Sequence, residues 1–292
     1  MLKRISPYNL IMLSFIGLIV VGALLLMMPF AHTPQKDISF LEALFTATSA
    51  VTVTGLSVID IGATFTIYGK LILLVLIQFG GLGVFTISSV LVLLIAKRIG
   101  FYTKKIVAEG LNHNKSYDIY AVTKRVVYIT LLFEATGALC LFVSFIQDFP
   151  FGKALFFSVF HSVSAFCNAG VSLFPHSFEG YTYNAFVNII IAFLVIFGGL
   201  GFTTIIQAYE YLRKKRRRLD INSQFSILMT IILLVTGTFL FFTLEYKNYY
   251  TLYGKSFFGQ MLISFFHSVS LRTAGFDTIP LEHLSSATIL FC

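Results

Sequence analysis

The 292-residue chain has no tryptophan and three cysteines, and only 12% of its residues are charged. An ordinary globular protein carries about twice that share of charge. So few polar groups cannot cover the surface of a soluble protein of this size, which excludes a soluble enzyme. A disordered chain is excluded by the opposite count, because 57% of the residues are hydrophobic. Cys140, Cys167 and Cys292 lie far apart without CxxC spacing, so no disulfide framework or zinc site is signalled. The apolar runs hold no GxSG nucleophile motif, no paired aspartates and no HExxH, which leaves no basis for a membrane-embedded protease or acyl transferase.

What remains is long apolar runs, and they imply an integral membrane protein. A bilayer core about 30 Å thick needs about 20 apolar residues in helix. Candidate spans are residues 9–30, 68–96, 121–146, 183–209 and 224–244, with a sixth beginning near Ser285. The first is too long for a signal peptide despite Lys3 and Arg4 before it. Between the spans lie shorter apolar pieces at 39–51, 152–166 and 255–271. As helices these reach about 20–25 Å, too short to cross comfortably.

Lysine and arginine outnumber aspartate and glutamate by 21 to 13, and the excess is concentrated. Lys97, Arg98, Lys104, Lys105, Lys115, Lys124 and Arg125 fall in one loop, and residues 213–218 read Arg-Lys-Lys-Arg-Arg-Arg. The positive-inside bias places both loops and the N-terminus in the cytoplasm. The hexamer then serves topology and contact with anionic lipid rather than nucleic acid. With that direction, all three short pieces enter from outside, each between an outgoing and a returning span.

Self-comparison supports a repeat. After the first short piece comes Thr48-Ser-Ala-Val-Thr52-Val53-Thr54-Gly55. The second gives His161-Ser-Val-Ser-Ala-Phe-Cys167-Asn168-Ala169-Gly170, and the third His267-Ser-Val-Ser-Leu-Arg272-Thr273-Ala274-Gly275. The glycines are 115 and then 105 residues apart. The returning spans match too: Gln78-Phe-Gly-Gly-Leu-Gly83 against Ile196-Phe-Gly-Gly-Leu-Gly201. A repeat of span, short helix and span divides the chain into 1–100, 101–218 and 219–292, the third incomplete.

Non-helical backbone inside a membrane is tolerated only against protein or a water-filled cavity. Each short helix would point its negative C-terminal end inward. The segment beyond it can turn carbonyl oxygens toward an axis, with glycine permitting the backbone angles. Such segments replace the hydration shell of a monovalent cation.

This pattern resembles the Trk/Ktr/HKT superfamily of potassium transporters, and most of all the Ktr-type membrane subunit. The resemblance implies an all-α integral membrane fold of repeated span, pore helix and span units around a pseudo-fourfold pore. It carries the potassium filter onto Thr52, Val53, Thr54 and Gly55, onto Cys167, Asn168, Ala169 and Gly170, and onto Arg272, Thr273, Ala274 and Gly275. It also implies a homodimer in the cell membrane, a gating ring of cytosolic nucleotide-binding (RCK/KTN-type) subunits, and K+ as cargo, with sodium coupling left open. No covalent cofactor, resident metal or nucleic acid is implied. At the observed spacing a fourth filter glycine is expected at about residue 380–390. The sequence is therefore expected to be truncated before a fourth repeat and not to transport by itself; the alternative function is a fragment that only assembles with full-length subunits.

Several residues have a bland reading beside a functional one. Arg272 is expected to point behind the filter. Asp60 and Asp277 either concentrate cations at the mouth or are solvated loop charges. His161 and His267 are expected to be structural rather than metal ligands. Glu134, mid-span, is expected to pair with another helix in preference to binding a coupling ion. The Gly80-Gly81-Leu82-Gly83 and Gly198-Gly199-Leu200-Gly201 clusters lack a nucleotide-binding spacing and are expected to admit close helix packing.

Overall fold

The computed structural model describes residues 7–34, 36–83, 119–214 and 218–291. The basic loop around 97–118 and the centre of the basic hexamer fall outside the described residues, as does the second half of the expected span 68–96. Among the described residues the chain is helical, with one isolated bridge between His32 and Phe65.

Contacts divide the chain into two units. One is Met1–Val53 with Ser57–Phe133; the other is Thr54–Leu56 with Glu134–Cys292.

In the first unit, α1 (Pro7–Leu26) is followed by α2 (Phe40–Thr52) and α3 (Ile67–Gly81). Helix α2 starts where it does because Ser39 and Glu42 form a reciprocal cap: the Ser39 amide donates to Glu42 Oε2 at 2.9 Å, and the Glu42 amide to Ser39 Oγ at 3.3 Å. It ends after 13 residues at Val53, whose φ of 55° is left-handed. A β-branched residue rarely adopts that conformation, so the surrounding chain must hold it there. Helices α1 and α3 both pack on α2. Gly22 of α1 makes this possible, since a Cβ there would come within 2.7 Å of Leu76 and 3.4 Å of the Ala47 Cβ.

The second unit takes in the rest of α4 (Ile119–Phe145), then α5 (Phe151–Phe166), α6 (Ala185–Gly199), α7 (Phe202–Leu212), α8 (Ile221–Glu245), α9 (Phe257–Thr273) and the short α10 (Ser286–Phe291). Helices α4 and α8 are long and apolar enough to cross a membrane. The stretch 183–209, expected as one span, is instead two helices that meet at 100°. The cause is local: the Gly-Gly-Leu-Gly run ends α6, and Gly201 turns the chain at φ 84°.

Helices α4 and α8 approach the short helices through small residues. A Cβ on Gly137 of α4 would lie 2.5 Å from Ser162 Oγ of α5, and one on Gly237 of α8 would lie 2.5 Å from Ser268 Oγ of α9. The serines use that proximity. Ser162 Oγ donates to the Glu134 carbonyl at 2.7 Å, and Ser268 Oγ to the Leu234 carbonyl at 3.1 Å. Without water in a bilayer core, such bonds have no solvent competitor, and close approach of backbones supplies the packing. Glu245, which reads in the sequence as a loop charge, is fully buried at the end of α8. It accepts from Asn248 and Thr251 at 2.6 Å, from the Ser285 amide at 2.9 Å, and from Thr288, which fastens α10 to α8.

Candidate cation filter

Three chain segments that end in glycine meet in the second unit. A Cβ built on Gly55 would come within 2.9 Å of the Ala169 carbonyl oxygen, 3.4 Å of Gly170 Cα and 3.5 Å of the Ala274 carbonyl oxygen. One on Gly170 would overlap the Ala274 carbonyl and lie 3.1 Å from Gly275 Cα. One on Gly275 would lie 3.8 Å from Gly170 Cα, 3.9 Å from Gly55 Cα and 3.9 Å from the Thr54 carbonyl oxygen. All three glycines have φ between 63° and 78°. The left-handed backbone selects glycine at all three positions, and at Gly55 and Gly170 the lack of room for a side chain does so as well. What converges is therefore bare backbone: the carbonyls of Thr54, Ala169 and Ala274.

The pore helices hold these segments by a device that the repeated His-Ser-Val-Ser encodes. Ser164 Oγ donates to the Val171 carbonyl at 2.7 Å, and Ser270 Oγ to the Phe276 carbonyl at 2.6 Å. Each bond ties the residue after the filter glycine to the last turn of its own helix. The histidines do the same one step further out. His161 Nδ1 bonds the Phe157 carbonyl at 2.8 Å, which leaves Nε2 to accept the Leu173 amide at 3.2 Å. His267 Nε2 lies 3.3 Å from Thr278 Oγ1. His161 stacks on Phe174 with ring centroids 4.5 Å apart, and His267 on Phe241 at 4.9 Å. These are structural histidines, and among the described residues no cluster of His, Cys, Asp and Glu could hold a metal ion.

Other residues of the filter set face elsewhere. Thr52 Oγ1 donates back to the Thr48 carbonyl at 2.7 Å, and Val53 takes the left-handed turn already described. Cys167 is buried, its sulfur 3.9 Å from Glu134 Oε1. The mid-span acid thus meets the residue just beyond the end of α5. Asn168 is left-handed at φ 58°, its amide 3.5 Å from the Phe166 carbonyl. Thr273 is the last residue of α9. Arg272 turns behind the filter and donates Nη2 to the Gly199 carbonyl at 3.3 Å. On α3 and α6, a Cβ on Gly80 would overlap the Val51 carbonyl, and one on Gly198 the Phe166 carbonyl. Close packing thus holds at Gly80 and Gly198, whereas a Cβ on Gly83 or Gly201 would meet nothing within 4 Å.

Of the two acids beside the filter, Asp60 caps its own turn, accepting from the Ala63 amide at 3.0 Å. Asp277 is partly buried. Its backbone is fixed by Ser177 Oγ on its amide at 3.0 Å and by the Phe178 amide on its carbonyl at 2.7 Å. Burial, and then the charge of Glu179, push its carboxyl up to about 7. The sequence carried the signal for the serine clamps in its repeated Ser-Val-Ser, but nothing in it pointed to the pairing of Asp277 with the 176–179 loop.

Residues 5–292 match the TrkH family, described as cation transport protein. The chain belongs to that family. It is 37% identical over 282 residues to the Ktr system potassium uptake protein B of Vibrio alginolyticus, covering 97% of this chain and 62% of that one. It is 34% identical over 289 residues to the protein of the same name from Bacillus subtilis, covering 99% and 64%. The chain thus spans less than two thirds of the length of these relatives. The crystal structure of the potassium transporter TrkH from Vibrio parahaemolyticus superposes with a TM-score of 0.67 at 21% identity, over 95% of this chain and 53% of that one. That likeness is one of fold.

Proposed function

We propose that this chain supplies pore-lining repeats of the membrane subunit of a potassium uptake system. The observation that carries the reading is the meeting of Thr54–Gly55, Ala169–Gly170 and Ala274–Gly275 as bare backbone at the ends of short helices. Carbonyl dipoles on such segments stand in for the water around a dehydrated monovalent cation, and the negative ends of the pore helices favour positive charge at the same place. Ions move through without any bond being made or broken.

The finer parts of the reading follow the same logic. The filter set is Thr52 to Gly55, Cys167 to Gly170 and Arg272 to Gly275, on units 1–100, 101–218 and 219–292 of a pseudo-fourfold pore. The basic loops and the N-terminus face the cytoplasm. The names of the relatives, potassium uptake proteins of a Ktr system, support K+ as cargo and a system of more than one component, for which a cytosolic nucleotide-binding ring is the partner adopted in this reading. A homodimer in a lipid bilayer completes the assembly. One glycine per segment offers few fixed carbonyl sites, so discrimination against Na+ is expected to be modest.

Rubidium uptake into proteoliposomes holding the intact membrane subunit tests this. Block by external K+ at lower concentration than by Na+ is the expected result. Uptake insensitive to K+ would refute the reading.

A further inference from the structure

At the end of each pore helix, three residues before the filter glycine, the repeats place Thr52, Cys167 and Arg272 in matching positions. Thr52 and Cys167 are uncharged, Thr52 donating to the Thr48 carbonyl of its own helix and Cys167 lying buried, so the position itself does not require a charge. A guanidinium drawn partly out of solvent in a membrane protein is costly unless something compensates it. The compensation is visible in what Arg272 reaches: the Gly199 carbonyl, at the point where α6 stops and α7 leaves at 100°.

A helix end leaves its final carbonyls without intrahelical donors, and a break inside a bilayer has little water to supply them. At this break the Leu200 carbonyl receives Ser226 Oγ at 3.2 Å and the Gly201 carbonyl the Ile205 amide at 3.2 Å. The Gly199 carbonyl receives the arginine. A cation at a helix C-terminus also answers the negative end of the helix dipole. The second amino group, Nη1, is buried with no hydrogen-bond partner, while Nη2 holds the Gly199 carbonyl. Helices α6 and α9 meet besides through Ile191, Ala192 and Val195 against Phe266 and Val269. Arg272 lies three residues before the filter glycine Gly275, so it joins the third filter segment to the interruption in the second returning span.

We propose that Arg272 is a positioning residue for the ion path: it caps the broken end of α6 at Gly199 and holds that break in register with the third filter segment. The inference rests on reading Arg272–Gly275 as filter. It is tested with Arg272→Lys, Arg272→Gln and Arg272→Ala in the intact membrane subunit, by amide hydrogen exchange over residues 200–205 and by rubidium uptake against sodium. Loss of one hydrogen bond from a charged donor should speed exchange there about tenfold in the Gln and Ala proteins. Exchange in α5 should stay unchanged, the preference for rubidium over sodium should fall, and lysine should restore part of both because it keeps the charge at the helix end. Unchanged exchange at 200–205 in Arg272→Gln, or a lysine protein no better than the alanine one, would overturn the assignment. If the Ala protein does not fold, the Gln and Lys proteins decide the matter. A wild-type protein without preference for rubidium would instead sink the filter reading, while the exchange comparison would still report on the cap.

Discussion

Ser164 donates its hydroxyl to the Val171 carbonyl at 2.7 Å, fastening the residue just beyond a filter glycine to the pore helix that precedes it. Ser270 and Phe276 repeat the relationship at 2.6 Å. Both serines are buried, so removing either hydroxyl strands a carbonyl that has little access to water. Ser164→Ala and Ser270→Ala should each cost about 1–3 kcal/mol of stability and lower the preference for rubidium over sodium in vesicle uptake. Loss of stability with selectivity intact would mean that the clamp does not shape the filter.

Gly170→Ala meets two obstacles together, a φ of 63° and the Ala274 carbonyl in the space of the new methyl. The substitution should abolish selective rubidium uptake while the protein still reaches the membrane. Wild-type uptake by this variant would remove Gly170 from the path.

Close approach of span and pore helix gives an internally controlled comparison. Gly137 abuts Ser162, whereas nothing lies within 4 Å of a Cβ on Gly17. Gly137→Leu overpacks a filled site and should destabilise the detergent-solubilised protein by about 1–3 kcal/mol or more, and Gly17→Leu should leave its melting temperature within error. Equal effects would contradict the packing described.

The carboxyl of Asp277 sits at about 7 because of burial and the neighbouring Glu179, far above the ordinary value of about 3.9. A raised carboxyl binds its proton more tightly in the folded chain than in the unfolded one. Its contribution is therefore complete below about pH 4 and is lost as pH rises through about 7. Melting temperature should fall between about pH 4 and pH 7 and level off above, and Asp277→Asn should flatten that part of the profile. The same slope in the variant would assign it to another group.

Much of this arrangement was legible in the chain because two periodicities coincide in it. Runs of about 20 apolar residues marked the spans, and the recurrence of Gly55, Gly170 and Gly275 marked the segments that cannot be helix. The three short helices, at Phe40–Thr52, Phe151–Phe166 and Phe257–Thr273, lie close to the pieces read from hydropathy. Hydropathy could not show that 183–209 is broken, because Gly-Gly-Leu-Gly holds no charged or polar side chain to interrupt the apolar run, and only the backbone angle at Gly201 distinguishes a bend from a continuation. Nor could it show the burial of Glu245. Its partners Ser285 and Thr288 are about 40 residues away, and a lone acid at a span end reads as a solvated charge. Asp277 failed for the same reason, since its environment is made by residues 177–179, a hundred positions earlier.

The most direct test is the anomalous diffraction of rubidium soaked into crystals of the intact membrane subunit. Density should lie on the axis where the carbonyl oxygens of Thr54, Ala169 and Ala274 come together, and should vanish when sodium replaces rubidium. Rubidium bound elsewhere, with none between those three carbonyls, would contradict the account.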